Sequence, residues 1–374
     1  MQTQAEKAQA AVRDLNVSVY QIPTDAPESD GTYEWNKTTL VLVELDAADQ
    51  HGIGYTYADT ATATLIHDLL APIVNGKDAF DIPALWSALV AALRNLGRLG
   101  IASMAIAAVD AALWDVKAKL LGVPLVTLLG AAQPSVPVYG SGGFTSYSDQ
   151  QLQDQFSDWR DQGITRFKMK VGRAPSADIA RVRAARSATG SAAELYVDAN
   201  GGYSRKQALA FAAAFAEMGV SWFEEPVSSD DLDGLRLSRD RAPAGMDIAA
   251  GEYGYDLPYF RRMLDAQAVD VLQADATRCA GISGFLQVGA LSRAYELPLS
   301  SHCAPTLHLP ACCALSNLRH MEYFHDHVRI EHLLFDGVPE LKDGRLVPDL
   351  SRPGLGIDFK RADAAKYAIE AQNA

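Results

Sequence analysis

Seven ionisable residues in the second half of the chain are set apart by type and spacing: Lys170, Asp198, Glu224, Glu252, Asp275, His302 and Glu322, in steps of 28, 26, 28, 23, 27 and 20 residues. Each step is the length of one strand–helix unit, so the series places one acid or base at the same end of successive units. Asp198, Glu224 and Glu252 would converge from three neighbouring strands, and carboxylates that close cannot all stay ionised without a cation. Oxygen donors with no His or Cys among them favour Mg²⁺, one ion per site, which keeps positions open for water or substrate. Asp275 and His302 fall on the next adjacent pair of strands. At a strand spacing of about 4.8 Å a carboxylate–imidazole hydrogen bond can form, fixing the tautomer and raising the basicity of the ring.

Lys168 and Lys170, two positions apart, leave the same face of their strand. Each lowers the other's proton affinity, and a divalent cation nearby lowers it further, which makes a neutral amine available as a base. In a ring of eight strands Lys170 stands across from the His302 dyad and Glu322 across from the strand of Glu224. Two bases would flank a bound substrate, and its carboxylate would sit between cation and acid. Proton abstraction beside a carboxylate yields an enediolate, which a divalent cation and a protonated carboxyl group stabilise. Reprotonation from the other face is racemisation, and loss of a β-hydroxyl is dehydration. The residues leave that choice open, and also which base abstracts the proton.

These side chains need a scaffold, and the chain from Pro134 onward supplies its pattern. Short apolar runs at Val136–Tyr139, Arg166–Val171, Glu194–Val197, Trp222–Phe223, Ile248–Ala250, Val269–Leu272, Leu297–Ser300 and His320–Tyr323 alternate with helical segments, as a (β/α)8 barrel requires. Before it, β-rich runs at Val17–Ile22, Thr38–Glu44 and Gly52–Tyr57, with a long acidic loop over Thr24–Asn36, precede helical patterns at Ala61–Leu70, Ile82–Leu96 and the Ala-rich Ile101–Leu121. The expected division is an α+β domain over 1–133, a barrel over 134–342 and a loop-like tail over 343–374 that returns to the first domain. Tyr139–Phe144, rich in glycine but with Thr145 in place of the third glycine of a nucleotide loop, reads as a flexible first βα loop. The histidines at 320, 325, 327 and 332 match no zinc spacing and read as pocket-shaping. Arg278 either reaches substrate or pairs with an acid.

Composition narrows the function classes. The 374 residues include 48% hydrophobic and 21% charged, enough apolar material for a large core. With 33 basic against 46 acidic side chains the net charge of −13 repels nucleic acid and anionic membrane. Met1–Ala10 is polar without the apolar centre of a secretion leader, no stretch is long enough to span a bilayer, and four cysteines without a C-x-x-C pair suit a reduced, cytoplasmic compartment.

Taken together the motifs resemble the enolase superfamily, in particular its mandelate racemase subgroup. Lys168-Met169-Lys170 is similar to its K-x-K; Val197-Asp198-Ala199-Asn200, Phe223-Glu224-Glu225-Pro226 and Ala250-Gly251-Glu252 resemble its metal-ligand strands. Asp275 with His302 resembles its dyad, Glu322 its last-strand glutamate, and the segment through Asp110 to Asp115 ending in Leu128-Leu129-Gly130 its final capping helix. The resemblance implies a barrel of the enolase type under an amino-terminal α+β capping domain completed by the tail, with loops at Thr24–Trp35 and Gly54–Tyr57 closing over the site. It implies Asn200 near a substrate hydroxyl, Lys168 and Glu322 holding the substrate carboxylate, and a homo-oligomer, dimer or octamer. It also makes an acid-sugar dehydratase, a hydro-lyase giving a 2-keto-3-deoxy acid, the first expectation and a racemase or epimerase the second. The first loop carries Asp25, Glu28, Asp30 and Glu34 and no arginine, which favours a polyhydroxy acid and disfavours a second substrate carboxylate. A non-catalytic metal-binding sensing protein would have no need of the complete set of bases and acids.

Overall fold

The computed structural model describes residues 10–369, so most of the polar Met1–Ala10 segment lies outside the described residues. Strands β1 (Val12–Ser29), β2 (Glu34–Ala47) and β3 (Gln50–Tyr57) form an antiparallel meander. Side chains alternate across a strand, and here both faces are buried. Leu40 and Leu42 join the core shared with the barrel, whereas Val41, Val43 and Leu45 pack with the helices. Those helices are α1 (Ala61–Leu65), α2 (Ala71–Val74), α3 (Ile82–Ala92) and α4 (Ile101–Leu120), whereas α5 (Leu125–Leu129) packs into the core shared with the barrel. The alanines of α4 let β3 approach so closely that a Cβ on Gly54 would lie 2.3 Å from the Ala108 carbonyl oxygen.

The long loop expected over Thr24–Asn36 is instead a hairpin. β1 and β2 run on through a register shift between Pro23 and Glu28 to the pairs Glu28–Trp35 and Ser29–Glu34. Asp30 Oδ1 closes the turn by accepting from the backbone N–H groups of Thr32 (2.6 Å) and Tyr33 (2.7 Å). Asp, Gly and Pro mark turns in sequence, but here one side chain caps a tight turn and the rest pair as strand.

Eight parallel strands close the barrel: β4 (Val136–Gly142), β5 (Arg166–Lys170), β6 (Glu194–Asp198), β7 (Val220–Glu224), β8 (Asp247–Ala250), β9 (Val271–Ala274), β10 (Leu299–Ser301) and β11 (Leu318–Phe324), with β11 pairing β4. The helices between and after them are α6 (Asp149–Asp161), α7 (Pro175–Thr189), α8 (Arg205–Ala216), α9 (Leu232–Arg241), α10 (Leu257–Asp265), α11 (Gly281–Ala294), α12 (Pro305–Ala314) and α13 (His325–Leu334). Tyr139, Tyr196, Trp222, Ala249 and Val271 form an interior cluster of their own within the barrel. Of the glycines read as a flexible loop, Gly140 and Gly142 lie in β4, where a Cβ on Gly140 would strike the Trp159 ring at 2.5 Å, and Gly143 follows it.

The tail comes back across the first domain. Leu355 N–H donates to Asp115 Oδ1 on α4 at 2.6 Å, and the last strand, Ala368–Ile369, pairs antiparallel with β1. Among the described residues no helix is long and apolar enough to cross a membrane.

Candidate active site

Strand register sets the level of the chemistry. Lys170 pairs with Asp198, and Asp198 with Glu224, so the ends of β5, β6 and β7 deliver their side chains in one row; Glu252 follows two residues beyond β8. One carboxylate oxygen from each of Asp198, Glu224 and Glu252 lies within 4.8 Å of the others, and all three residues are buried. Asp198 Oδ1 accepts from the Asn200 N–H at 2.9 Å, and Glu224 Oε2 from Trp222 Nε1 at 2.9 Å. Glu252 Oε2 is buried without a hydrogen-bond partner, although His302 Nε2 is 3.2 Å away. Burial and the neighbouring Asp198 push the Glu224 carboxyl up to about 8. Clustered, dry, partly unsatisfied oxygen donors fit a hard divalent cation, and the absence of nitrogen and sulfur donors from the trio fits Mg²⁺.

The two lysines leave the same face of β5 as expected, and their proton affinity is the reverse of that expected. Lys168 is enclosed, with Nζ against Glu224, 2.7 Å from Glu322 Oε1 and 3.4 Å from Asp198 Oδ2. Lys170 Nζ lies 2.6 Å from Asp198 Oδ2. Burial alone would lower both ammonium groups, but the surrounding carboxylates outweigh it and outweigh the mutual repulsion, holding both above the usual lysine range.

On the opposite wall His302 Nδ1 is 2.8 Å from Asp275 Oδ2, while Asp275 Oδ1 accepts from the Thr277 N–H and hydroxyl, both at 2.7 Å. Burial would raise the Asp275 carboxyl; the bond and charge of His302 prevail and keep it well below the usual carboxylate range. The dyad directs Nε2 inward, toward Glu252 and toward Glu322 Oε2 at 3.7 Å. Glu322 Oε2 also accepts from the Cys303 N–H at 2.8 Å. Against burial, Lys168 and His302 hold the Glu322 carboxyl well below the usual carboxylate range.

A cavity of about 800 Å³ opens above this floor, lined by Lys170, Asn200, Glu252, Asp275 and His302 from the barrel and by Asp30, Tyr33, Trp35, Lys37 and Tyr57 from the first domain. Every expected site residue is therefore brought together. Asn200, at φ 45°, has a buried, unpartnered Oδ1 and faces the cavity. Of the hairpin's acids, Asp30 and Glu34 line the cavity and Asp25 and Glu28 do not; Lys37 also lines it, and Arg278, from the barrel, pairs with Glu252 at 3.5 Å and Asp275 at 3.8 Å.

Residues 16–130 match the mandelate racemase/muconate lactonizing enzyme amino-terminal domain, and residues 151–364 match the enolase carboxyl-terminal domain-like family. The chain belongs to the mandelate racemase/muconate lactonizing enzyme family. Family members among its relatives include L-talarate/galactarate dehydratase of Salmonella typhimurium, 32% identical over 358 residues, or 92% of this chain and 87% of that one. A crystal structure of that dehydratase with Mg and L-lyxarohydroxamate superposes with a TM-score of 0.89 at 30% identity, covering 99% of this chain and 95% of that one. The 3,6-anhydro-alpha-L-galactonate cycloisomerase of Streptomyces coelicolor is 32% identical over 93% of this chain and 97% of its own length. A mandelate racemase/muconate lactonizing enzyme-like protein from Rubrobacter xylanophilus is 53% identical with a TM-score of 0.94, covering 96% and 100%.

Within this family site, sequence reasoning passed over three groups. Glu225 is a buried fourth carboxyl with Oε1 unpartnered, raised well above its usual range by burial and by Glu252 and Asp198; the Glu224-Glu225 doublet was the available signal. Cys303 Sγ lies 3.3 Å from His302 Nε2. Tyr57 stacks on His327 with ring centroids 3.5 Å apart. No local pattern could have announced that pair, because its members come from different domains. The four histidines near the last strand do not form one cluster: His320 lies among Tyr139, Tyr196 and Trp222 inside the barrel, and His325 pairs with Asp25 outside it.

Proposed function

We propose that this chain is a Mg²⁺-dependent acid-sugar dehydratase. The observation carrying the reading is that two bases of different kinds, Lys170 and His302, face one cavity floored by a convergent carboxylate trio. Asp198, Glu224 and Glu252 would hold the ion, which, when bound, supplies Lewis-acid stabilisation of charge developing on the substrate carboxylate and takes up the carboxylate charge that now pins the lysines. Lys168 and Glu322, ion-paired at 2.7 Å, orient that carboxylate. Lys170 or His302 takes the proton from the α carbon. The imidazolium of His302, oriented by the bond from Nδ1 to Asp275, gives its Nε2 proton to the departing β-hydroxyl; water leaves, and the resulting enol becomes a 2-keto-3-deoxy acid. Asn200 binds a hydroxyl through its free Oδ1.

The relatives' named dehydration reactions support this choice over epimerisation, which would use the same bases. A polyhydroxy acid suits the polar lining. Incubation with Mg²⁺ and a panel of aldonic and aldaric acids, read by semicarbazide trapping of 2-keto acid, tests the reading. Keto acid from at least one member supports dehydration; α-deuteration in D₂O without keto acid would move the assignment to racemase or epimerase.

We also read the chain as a capping domain over 1–133, a barrel over 134–342 and a returning segment over 343–374, supported by the pairing of the last strand with β1. A cytoplasmic location is supported by four free, buried cysteines. Self-association is supported by exposed Leu96, Leu99 and Ile101 at one turn of the first domain.

A further inference from the structure

Outside the barrel mouth, Asp25, Glu28 and His325 each bring a ligand atom to within 4.8 Å of the others where the hairpin crosses the start of α13. Asp25 Oδ2 and His325 Nε2 are 2.9 Å apart. Glu28 is wholly buried: its Oε2 accepts from Trp35 Nε1 at 2.7 Å, and its Oε1 has no partner. An unpartnered carboxylate oxygen out of water is a costly group to keep, and the proposed reaction makes no use of it. Burial, with Asp326 and Asp25 alongside, pushes the Glu28 carboxyl up to about 9. Arg329 relieves it only in part, being committed to Asp326 at 3.2 Å and to the Pro23 carbonyl at 2.7 Å. Asp25 and His325 border a cleft of about 670 Å³ between α6 and α13, with side chains 45% and 24% exposed, so an ion could enter and keep water ligands.

We propose that Asp25, Glu28 and His325 form a second metal site, for a first-row transition ion such as Zn²⁺, that fastens the capping hairpin to the barrel. The imidazole donor distinguishes it from the all-oxygen trio and selects against Mg²⁺. Glu28 links the site to the pocket: it holds the indole of Trp35, which stands edge-on to Phe144 at 5.6 Å and lines the active-site cavity. An ion here positions a wall of the pocket without touching substrate.

The test is Zn²⁺ uptake by the full-length protein in excess Mg²⁺, followed by equilibrium dialysis and atomic spectroscopy, with the Co²⁺ absorption spectrum as a readout of imidazole ligation. The wild type should take up one further ion per chain. His325→Ala and Asp25→Asn should each weaken uptake at least tenfold while Mg²⁺ binding is unchanged, and Cys303→Ser should bind as the wild type does. No further ion in the wild type would mean that Glu28 simply holds a proton and would overturn the site. Equal uptake by both variants would also overturn it. So would loss of the ion in Cys303→Ser, which would put it instead at His302, Cys303 and Glu322, where ligand atoms also converge.

Discussion

Lys168 has no exposed surface and is surrounded by Glu224, Glu322 and Asp198. Removing one partner of a buried ion pair leaves uncompensated charge, a loss of about 3–5 kcal/mol. Lys168→Met should therefore lower stability by that amount in urea unfolding, and a midpoint equal to that of the wild type would show that the acids had found other partners. The acids among these residues were legible because they recur near the carboxyl ends of successive strands, and Lys168 because it lies two positions before Lys170 on one strand. Their protonation was not: the lysine pair predicts mutual repulsion, but in the fold each ammonium faces more carboxylate than ammonium. Glu225 was hidden for a related reason. Its neighbour Glu224 fills the expected ligand position, and only the left-handed turn at φ 38° carries the next carboxyl into the same buried rim.

At the scale of elements, the hairpin tip depends on a close approach. A Cβ on Gly31 would lie 2.1 Å from the carbonyl oxygen of Ala199, next to Asn200 and one residue past Asp198. Gly31→Val must lift the tip from the barrel mouth, and displacements near 1 Å in a positioned site cost up to about 10²-fold in rate. A fall in kcat/KM of that order, with Mg²⁺ affinity nearly unchanged, is expected from steady-state kinetics and metal titration. Wild-type kinetics in the variant would mean that the tip has no role in closing the site. The barrel strands were readable from apolar runs of strand length, and parallel strands covered on both faces produce such runs. The hairpin was not readable, because its pairing resumes only after a register shift and its polar residues resemble a loop.

The two domains are joined through buried polar contacts as well as apolar ones. Asp110 on α4 accepts from the Ser283 N–H at 2.9 Å and its hydroxyl at 2.6 Å, at the start of α11. Burial outweighs those bonds and pushes its carboxyl from the ordinary 3.8 up to about 7. Between those values the folded form binds a proton that the unfolded chain has released, so this contribution is full at low pH and is lost as pH rises toward the folded value. From about pH 5 to about pH 8 the wild type should lose on the order of 2 kcal/mol more than Asp110→Asn in urea unfolding. Parallel pH dependences would remove Asp110 from the account.

The claim that a cation-binding trio and two bases act on one α carbon is tested most directly by proton exchange. Wild-type protein, Mg²⁺ and a substrate found in the acid-sugar panel are incubated in D₂O, and deuterium at the α carbon or product formation is followed by NMR. Turnover or exchange should require Mg²⁺, disappear on chelation, and fall by about 10²–10⁴-fold in Lys170→Ala and in His302→Asn, with both variants still folded. Exchange that survives chelation, or persists at the wild-type rate in both variants, would contradict the assignment.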